Sequence, residues 1–246
     1  MNWFVALALS SYRGFTAVDM CGRFVLNETP KKLAEHFHLT GDMDFQPSWN
    51  IAPSTKIISV TANQEGNRGL LKMRWGLIPS WAKDASIGNK LTNARGETVA
   101  EKPSFRSAFR SRRCIIPASG FYEWETENGI KQPWYISLKS GDPMAFAGLW
   151  ETWRTPEGES LESCCIITTS PNSLMEQIHD RMPVILPSEQ WDSWLSPQDR
   201  QAEKLQQLIC PHDSESMQAW PVTRELNKVG LRDDARLTEP VVTSLF

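Results

Sequence analysis

Cys21, in the run Met20-Cys21-Gly22-Arg23-Phe24, offers the most distinctive chemistry in this chain. A methionine followed by a small residue is the pattern of an initiator methionine that is removed after synthesis. Its removal would leave Cys21 with a free α-amine and a thiol on neighbouring carbons, a pair that closes a five-membered thiazolidine ring on an aldehyde. Glu123 lies between aromatics in Gly120-Phe121-Tyr122-Glu123-Trp124, just after an apolar run and a glycine. Burial there would favour its protonated form and suit it to proton transfer, or would make it one half of a buried pair with an arginine. His179 opens His179-Asp180-Arg181-Met182-Pro183, a turn closed by proline. It reads either as a general acid or as a surface or capping histidine. Asn93, in Asn93-Ala94-Arg95 with Glu97 close behind, either holds an amine by its side-chain carbonyl or makes an Asx-turn. Arg95 and Arg181 read as phosphate clamps or as salt-bridge partners. Arg106, Arg110, Arg112 and Arg113 form a basic cluster that either extends a phosphate track or is a solvated charged face.

These groups need elements to hold them. Thr29-Pro30 followed by Lys31 to Leu39 predicts a capped helix with proline in its first turn. Strands are expected over Lys56 to Thr61, Leu70 to Ile78, Arg113 to Ile116, Trp134 to Leu138, Met144 to Trp150 and Cys164 to Thr169. Proline and glycine punctuate the gaps. Ser188 to Leu195 and Pro197 to Ile209 read as helices, the second with Ser196 as N-cap and Pro197 in the first turn. Many short strands and few helices predict an α+β fold: one domain with a curved, barrel-like, mainly antiparallel sheet and peripheral helices.

The 246 residues allow one large domain or two small ones, and no internal repeat, low-complexity segment or long linker divides them. Hydrophobic residues at 40% and charged residues at 22% are ordinary for a soluble globular protein. A net charge of -3 announces no global affinity for nucleic acid, although a local basic patch would supply it. Eleven tryptophans are many for this length; they read as core, or as a few exposed rings that stack on a ligand. The five cysteines at 21, 114, 164, 165 and 210 show no metal-ligand spacing and read as reduced core residues of a cytoplasmic protein. Cys164 and Cys165 should point to opposite sides of a strand. No pair among the four histidines carries a zinc signature, and nothing signals a metal or organic cofactor. Trp3 to Leu9 is apolar but too short to span a bilayer, and no lysine or arginine precedes Arg13, which argues against a signal peptide. Residues 1–20 are therefore expected to be an extension that is absent from or removed in the mature protein, ahead of a domain over 21–240 and a tail over 241–246.

Taken together, Met-Cys-Gly-Arg-Phe, Asn50-Ile51-Ala52-Pro53, Arg74-Trp75-Gly76-Leu77-Ile78-Pro79-Ser80-Trp81, Asn93 to Thr98, Gly120 to Trp124 and His179 to Pro183 closely resemble the SOS-response-associated peptidase (SRAP) family of abasic-site processing proteins. The order and rough spacing match from residue 20 to about 240. The resemblance implies that Cys21 cross-links to the ring-opened aldehyde of an abasic site in single-stranded DNA. It implies that Asn93 holds the cysteine amine and the adduct, and that Glu123 and His179 are catalytic. It makes Arg95 and Arg181 backbone-binding residues, and places Arg23, Pro53 and Trp81 along the DNA groove. Some relatives carry a second tryptophan where this chain has Ala82, which implies a smaller stacking wedge. Val222 to Val229 looks like the family's closing segment, whereas Gly230-Leu231-Arg232 departs from it. The peptidase of the family name implies cleavage of Met20-Cys21 in cis by Cys21 Sγ. The expected partner is thus single-stranded DNA with abasic sites, with no membrane and no metal, and a monomer suffices. Two rivals use the same residues: a thiol autopeptidase or N-terminal-nucleophile amidohydrolase, and a single-strand binder whose cysteine is incidental.

Overall fold

The computed structural model describes residues 22–40, 44–228 and 233–241; Cys21, the 1–20 extension, Gly230-Leu231-Arg232 and positions 242–246 of the tail lie outside the described residues. In chain order these form β1 (Arg23–Leu26), α1 (Pro30–Phe37), β2 (Ser48–Ile51), β3 (Lys56–Ala62), β4 (Arg68–Trp75), β5 (Asn93–Arg95), α2 (Arg106–Ser111), β6 (Arg113–Ala118), β7 (Gly120–Glu127) and β8 (Ile130–Leu138). There follow β9 (Met144–Arg154), β10 (Ser160–Thr169), β11 (Met182–Pro183), α3 (Trp191–Leu195), α4 (Ala202–Gln207) and β12 (Met217–Pro221).

Strands β10, β4, β3, β6 and β9 are neighbours in that order, and β9 pairs again with β10, which closes the five into a barrel. Within it only β10 and β4 run parallel. The far end of β10 carries two short additions, β5 in parallel and β11 in antiparallel. A second, wholly antiparallel sheet has the order β12-β8-β7-β1-β2. The expected α+β class, with a barrel-like, mainly antiparallel sheet and peripheral helices, is what the chain adopts.

Local chemistry explains the turns. β7 and β8 are joined by Asn128-Gly129 at φ 51° and 79°, the left-handed pair that a two-residue hairpin requires. α1 begins where Thr29 caps the Lys32 amide and Pro30 pre-sets the first turn. The strand expected to run from Leu70 to Ile78 stops at Trp75, because Gly76 turns to φ 127°. A Cβ on Gly76 would sit 2.5 Å from the Gly88 carbonyl, so both the conformation and the close approach need glycine.

The antiparallel sheet packs one face on the barrel. Phe24 of β1 and Phe121 of β7 pair directly and meet the Phe146 ring of β9 edge-on, at 6.1 and 5.9 Å between centroids. Its other face bears Val25, Tyr122 and Tyr135, covered by Val222, Leu226 and Leu237. β10 is buried on both sides, so Cys164 and Cys165 are each 0% exposed although strand geometry turns them apart. Burial pushes the Cys164 thiol up to about 12. Cys114 joins them in the core, whereas Cys210 is exposed.

Helix was expected over Pro197 to Ile209, yet only Ala202–Gln207 is helical. The buried guanidinium of Arg113 accounts for the difference. It donates to the carbonyls of Trp194 (2.7 Å), Asp199 (2.8 Å), Phe109 (2.7 Å) and Ser196, which engages carbonyls 194, 196 and 199 outside a regular helix. Burial draws the pKa of Arg113 down to about 10.

Candidate functional site

Three strand ends bring the polar residues together. β5 lies parallel to β10 with Asn93 opposite Ile166 and Arg95 opposite Thr168. β11 lies against the same stretch of β10, with Met182 opposite Thr169. The segment just before β11 therefore delivers His179 and Arg181 beside β5. Arg181 shows how closely: its Nη1 and Nη2 donate to Glu97 at 2.6 and 2.9 Å, and Nη2 also donates to the Thr168 carbonyl at 2.8 Å. The Arg181 fork beside Glu97 holds that carboxyl below the usual carboxylate range. Arg181 thus meets a protein carboxylate first, and reaching a phosphate requires an exchange of partners. Arg95 is exposed, makes no side-chain hydrogen bond or ion pair among the described residues, and acts on Glu97 only through its charge.

His179 is held by a turn in which its amide donates to the Met175 carbonyl at 2.8 Å. Its Nδ1 accepts from the Arg181 amide at 3.1 Å, which leaves the proton of the neutral ring on Nε2. Asp180 Oδ1 stands 3.1 Å from the same Nδ1, ready to accept once that nitrogen is protonated. The ring therefore has a partner in either charge state, which suits a group that takes up and returns a proton.

Glu123 lies on β7 at 0% exposure, opposite Trp134 of β8. Strand alternation puts it on the barrel-facing side with Phe121, while Tyr122 and Trp124 face outward. β1 pairs Arg23 with Tyr122, so the register continued by one residue aligns Gly22 with Glu123. Gly22, the first described residue and the neighbour of Cys21, also lines an open cavity of about 390 Å³. Arg23, Pro53, Trp124, Lys131, His179 and Asn227 line it too. Arg23 is aimed by hydrogen bonds from Nη1 to Asn50 Oδ1 (3.2 Å) and to the Leu226 carbonyl (3.1 Å).

Of the residues expected in the site, Arg23, Pro53 and His179 share this cavity, and Glu123 is buried next to it along β7. Asn93, Arg95 and Arg181 gather at the end of β10. Trp81 stands on a separate loop, 57% exposed, with Nε1 3.5 Å from the Pro103 carbonyl. Trp75 and Trp194, by contrast, are core at 0%. Trp124, Lys131 and Asn227 were not singled out by sequence reasoning. Trp124 Nε1 donates to Asn227 Oδ1 at 2.7 Å, and Asn227 donates back to the Lys131 carbonyl at 3.0 Å, which closes that side of the cavity. Trp124 and Asn227 did stand inside quoted motifs; Lys131 carries no local signal. The basic cluster divides: Arg112 pairs with Glu151 at 2.7 Å and Arg113 is buried, so neither extends a surface track. Among the described residues no group of three or more His, Cys, Asp or Glu could hold a metal ion, and no helix is long and apolar enough to cross a membrane.

A closed strand barrel with a flanking antiparallel sheet, an open cavity lined by Gly22, Arg23 and His179, and Asn93, Arg95, Glu97 and Arg181 gathered at the end of β10 define an α+β protein with a polar candidate site. The chain belongs to the SOS response associated peptidase (SRAP) family, whose model matches residues 20–229. It is 49% identical over 212 residues to the abasic site processing protein YoqW of Bacillus subtilis (strain 168), covering 85% of this chain and 94% of that one. It is 34% identical over 218 residues to the abasic site processing protein HMCES of Xenopus tropicalis, covering 76% of this chain and 64% of the relative. A crystal structure of a protein from Bacteroides thetaiotaomicron superposes with a TM-score of 0.81 at 29% identity, over 90% of this chain and 100% of that one.

Proposed function

We propose that this protein acts in the response to DNA damage, where it recognises abasic sites in single-stranded DNA and captures them covalently through Cys21 as an N-terminal residue. The observation that carries this reading is the shared cavity. Gly22, which adjoins Cys21, and His179 line one open space, and Glu123 is buried on the neighbouring strand. The names of the relatives YoqW and HMCES supply the substrate class.

An abasic sugar is mostly a closed hemiacetal, and His179 is the general acid–base group that helps it open to the aldehyde. An α-amine has an ordinary pKa of about 7.7–8.0, so much of it is neutral near pH 7 and able to attack C1′. The attack forms an imine and releases one water, with Glu123 moving the protons and Asn93 holding the amine. The Cys21 thiol, ordinarily titrating at about 8.5, then adds as thiolate to the same carbon. Its proton ends on the nitrogen, and the ring closes as a thiazolidine. The net change is loss of one water, and closure removes the imine before β-elimination cuts the strand. Arg23, Pro53 and Trp81 contact the strand, and Arg95 and Arg181 take phosphates. The amine exists only once Met20 has gone; removal of an initiator methionine, or cleavage of Met20-Cys21 in cis by Cys21 Sγ, exposes it.

Intact-mass analysis before and after incubation with a single-stranded oligonucleotide carrying one abasic site tests this. The expected species begins at Cys21 and gains the oligonucleotide less one water, and Cys21→Ala gains nothing. A processed protein that forms no adduct but turns over an amide would overturn the reading in favour of an N-terminal-nucleophile amidohydrolase. Unaltered DNA behaviour in Cys21→Ala would leave only a non-covalent binder.

A further inference from the structure

Arg106 and Arg110 are four apart on α2 and so share one face, an arrangement that disfavours a helix by like-charge repulsion. Neither has a hydrogen-bonded or ion-pair partner among the described residues, and both are exposed. Across from them stands Arg200, exposed and equally without a hydrogen-bonded or ion-pair partner among the described residues, on the segment before α4. The three line one open cleft of about 680 Å³ together with Ser107, Ser111 and Glu203. Three cations against one carboxylate leave the cleft net positive in a chain whose net charge is -3. Most other arginines among the described residues are occupied: Arg68, Arg112, Arg181 and Arg236 by carboxylates, Arg23, Arg74, Arg113 and Arg224 by amide or carbonyl oxygens. Arg95 and Arg154 also lack a hydrogen-bonded partner among the described residues, but the three guanidiniums of this cleft share one opening.

Both walls of the cleft are tied to the candidate site. Trp81 Nε1 reaches the carbonyl of Pro103, which leads directly into α2. Gln206 of α4 donates to the Gly96 carbonyl at 2.8 Å, beside Arg95. Glu203, which lines the cleft, and Gln206 are three residues apart on α4, so about 4.5 Å of helical rise separates that contact from the cleft. On the other side of His179 the open surface is lined by Glu125, Glu127, Glu176 and Asp180, which repel a phosphate chain. We propose that the Arg106–Arg110–Arg200 cleft is a second phosphate-binding station, which holds the DNA strand flanking the captured nucleotide and sets the side on which it leaves. This rests on single-stranded DNA being the substrate. The Ser107 hydroxyl, which accepts from Arg112 at 2.9 Å, adds a donor for a phosphate oxygen, and Arg113, although adjacent in sequence to this group, plays no part in it.

The test compares strands of about five and about fifteen nucleotides, lengths that bracket one single-strand footprint. Affinity is read by fluorescence anisotropy over a range of salt. Wild type should bind the longer strand more tightly. The triple variant Arg106→Ala/Arg110→Ala/Arg200→Ala should lose about tenfold on the longer strand, flatten its log–log salt slope by about two, and leave the shorter strand unchanged. The triple lysine variant should retain most of the affinity, and Arg154→Ala, which removes an exposed cation elsewhere, should change little. Unchanged long-strand affinity and slope in the alanine variant would overturn the inference, and so would equal losses on both lengths. Adduct formation on the short abasic strand reads the proposed chemistry separately. A protein that makes no adduct, yet loses long-strand affinity in the variant, keeps the cleft and loses the chemistry.

Discussion

Arg181 and Glu97 hold each other in a two-pronged pair at the end of β10, and that pair ties stability to pH. The Arg181 hydrogen bonds lower the Glu97 pKa in the folded protein. The folded state then binds that proton less tightly than the unfolded chain does. Its contribution is full above the ordinary glutamate value of about 4.3 and is lost as pH falls through the lower folded value. Glu97 is half exposed, so Glu97→Gln is expected to cost only about 1 kcal/mol near neutrality. Denaturant melts should show the gap from wild type closing below about pH 4. A gap that stays constant through the acid range would mean that the pair contributes nothing. The same variant frees the Arg181 fork. If Arg181 takes a phosphate in the complex, Glu97→Gln binds single-stranded DNA more tightly than wild type, and unchanged or weaker binding would confine Arg181 to a structural role.

At the scale of elements, β10 is the spine of the site. It closes the barrel with β9 and extends past it to carry β5 and β11, and so Asn93, Arg95 and the segment from His179 to Arg181. Arg113 braces the far side by binding the chain between α3 and α4. Arg113→Met is expected to destabilise by about 3 kcal/mol, because several buried carbonyls lose their donor at once. Arg106→Ala on the adjacent helix should stay within about 0.5 kcal/mol. Urea unfolding of the two variants checks the contrast, and equal costs would contradict the assignment of one arginine to the core and the other to the surface. Sequence placed the helix at Thr29-Pro30 and most barrel strands well, because capping and alternation are local signals. It missed β1, β2, β5, β7, β11 and β12, short or motif-dense strands whose pairing decides them. It extended the Pro197 helix because nothing local reveals that Arg113, far back in the chain, would claim its carbonyls.

For the whole molecule, thiol reactivity separates interior from surface. Cys114, Cys164 and Cys165 are buried and their thiols are pushed up by desolvation, while Cys210 is exposed. In native Cys210→Ser, at most one thiol should react rapidly with a disulfide reagent near pH 8, and that thiol is Cys21; the remaining three should appear only on unfolding. Fast reaction of more than one thiol would refute the buried assignments. Sequence alone determined the class of fold and the family, and it picked out the candidate groups, since a cysteine after a methionine, a glutamate among aromatics and a histidine in a proline-closed turn are legible from type and neighbours. Only the tertiary structure decided which of them meet. It set Gly22 and His179 on one cavity, gave Arg181 to Glu97, buried Arg113, and joined Arg200 to Arg106 and Arg110 across a cleft. The physical reason is that residue type is a local property, whereas burial, pairing and field depend on strands distant in the chain that the barrel closes upon one another.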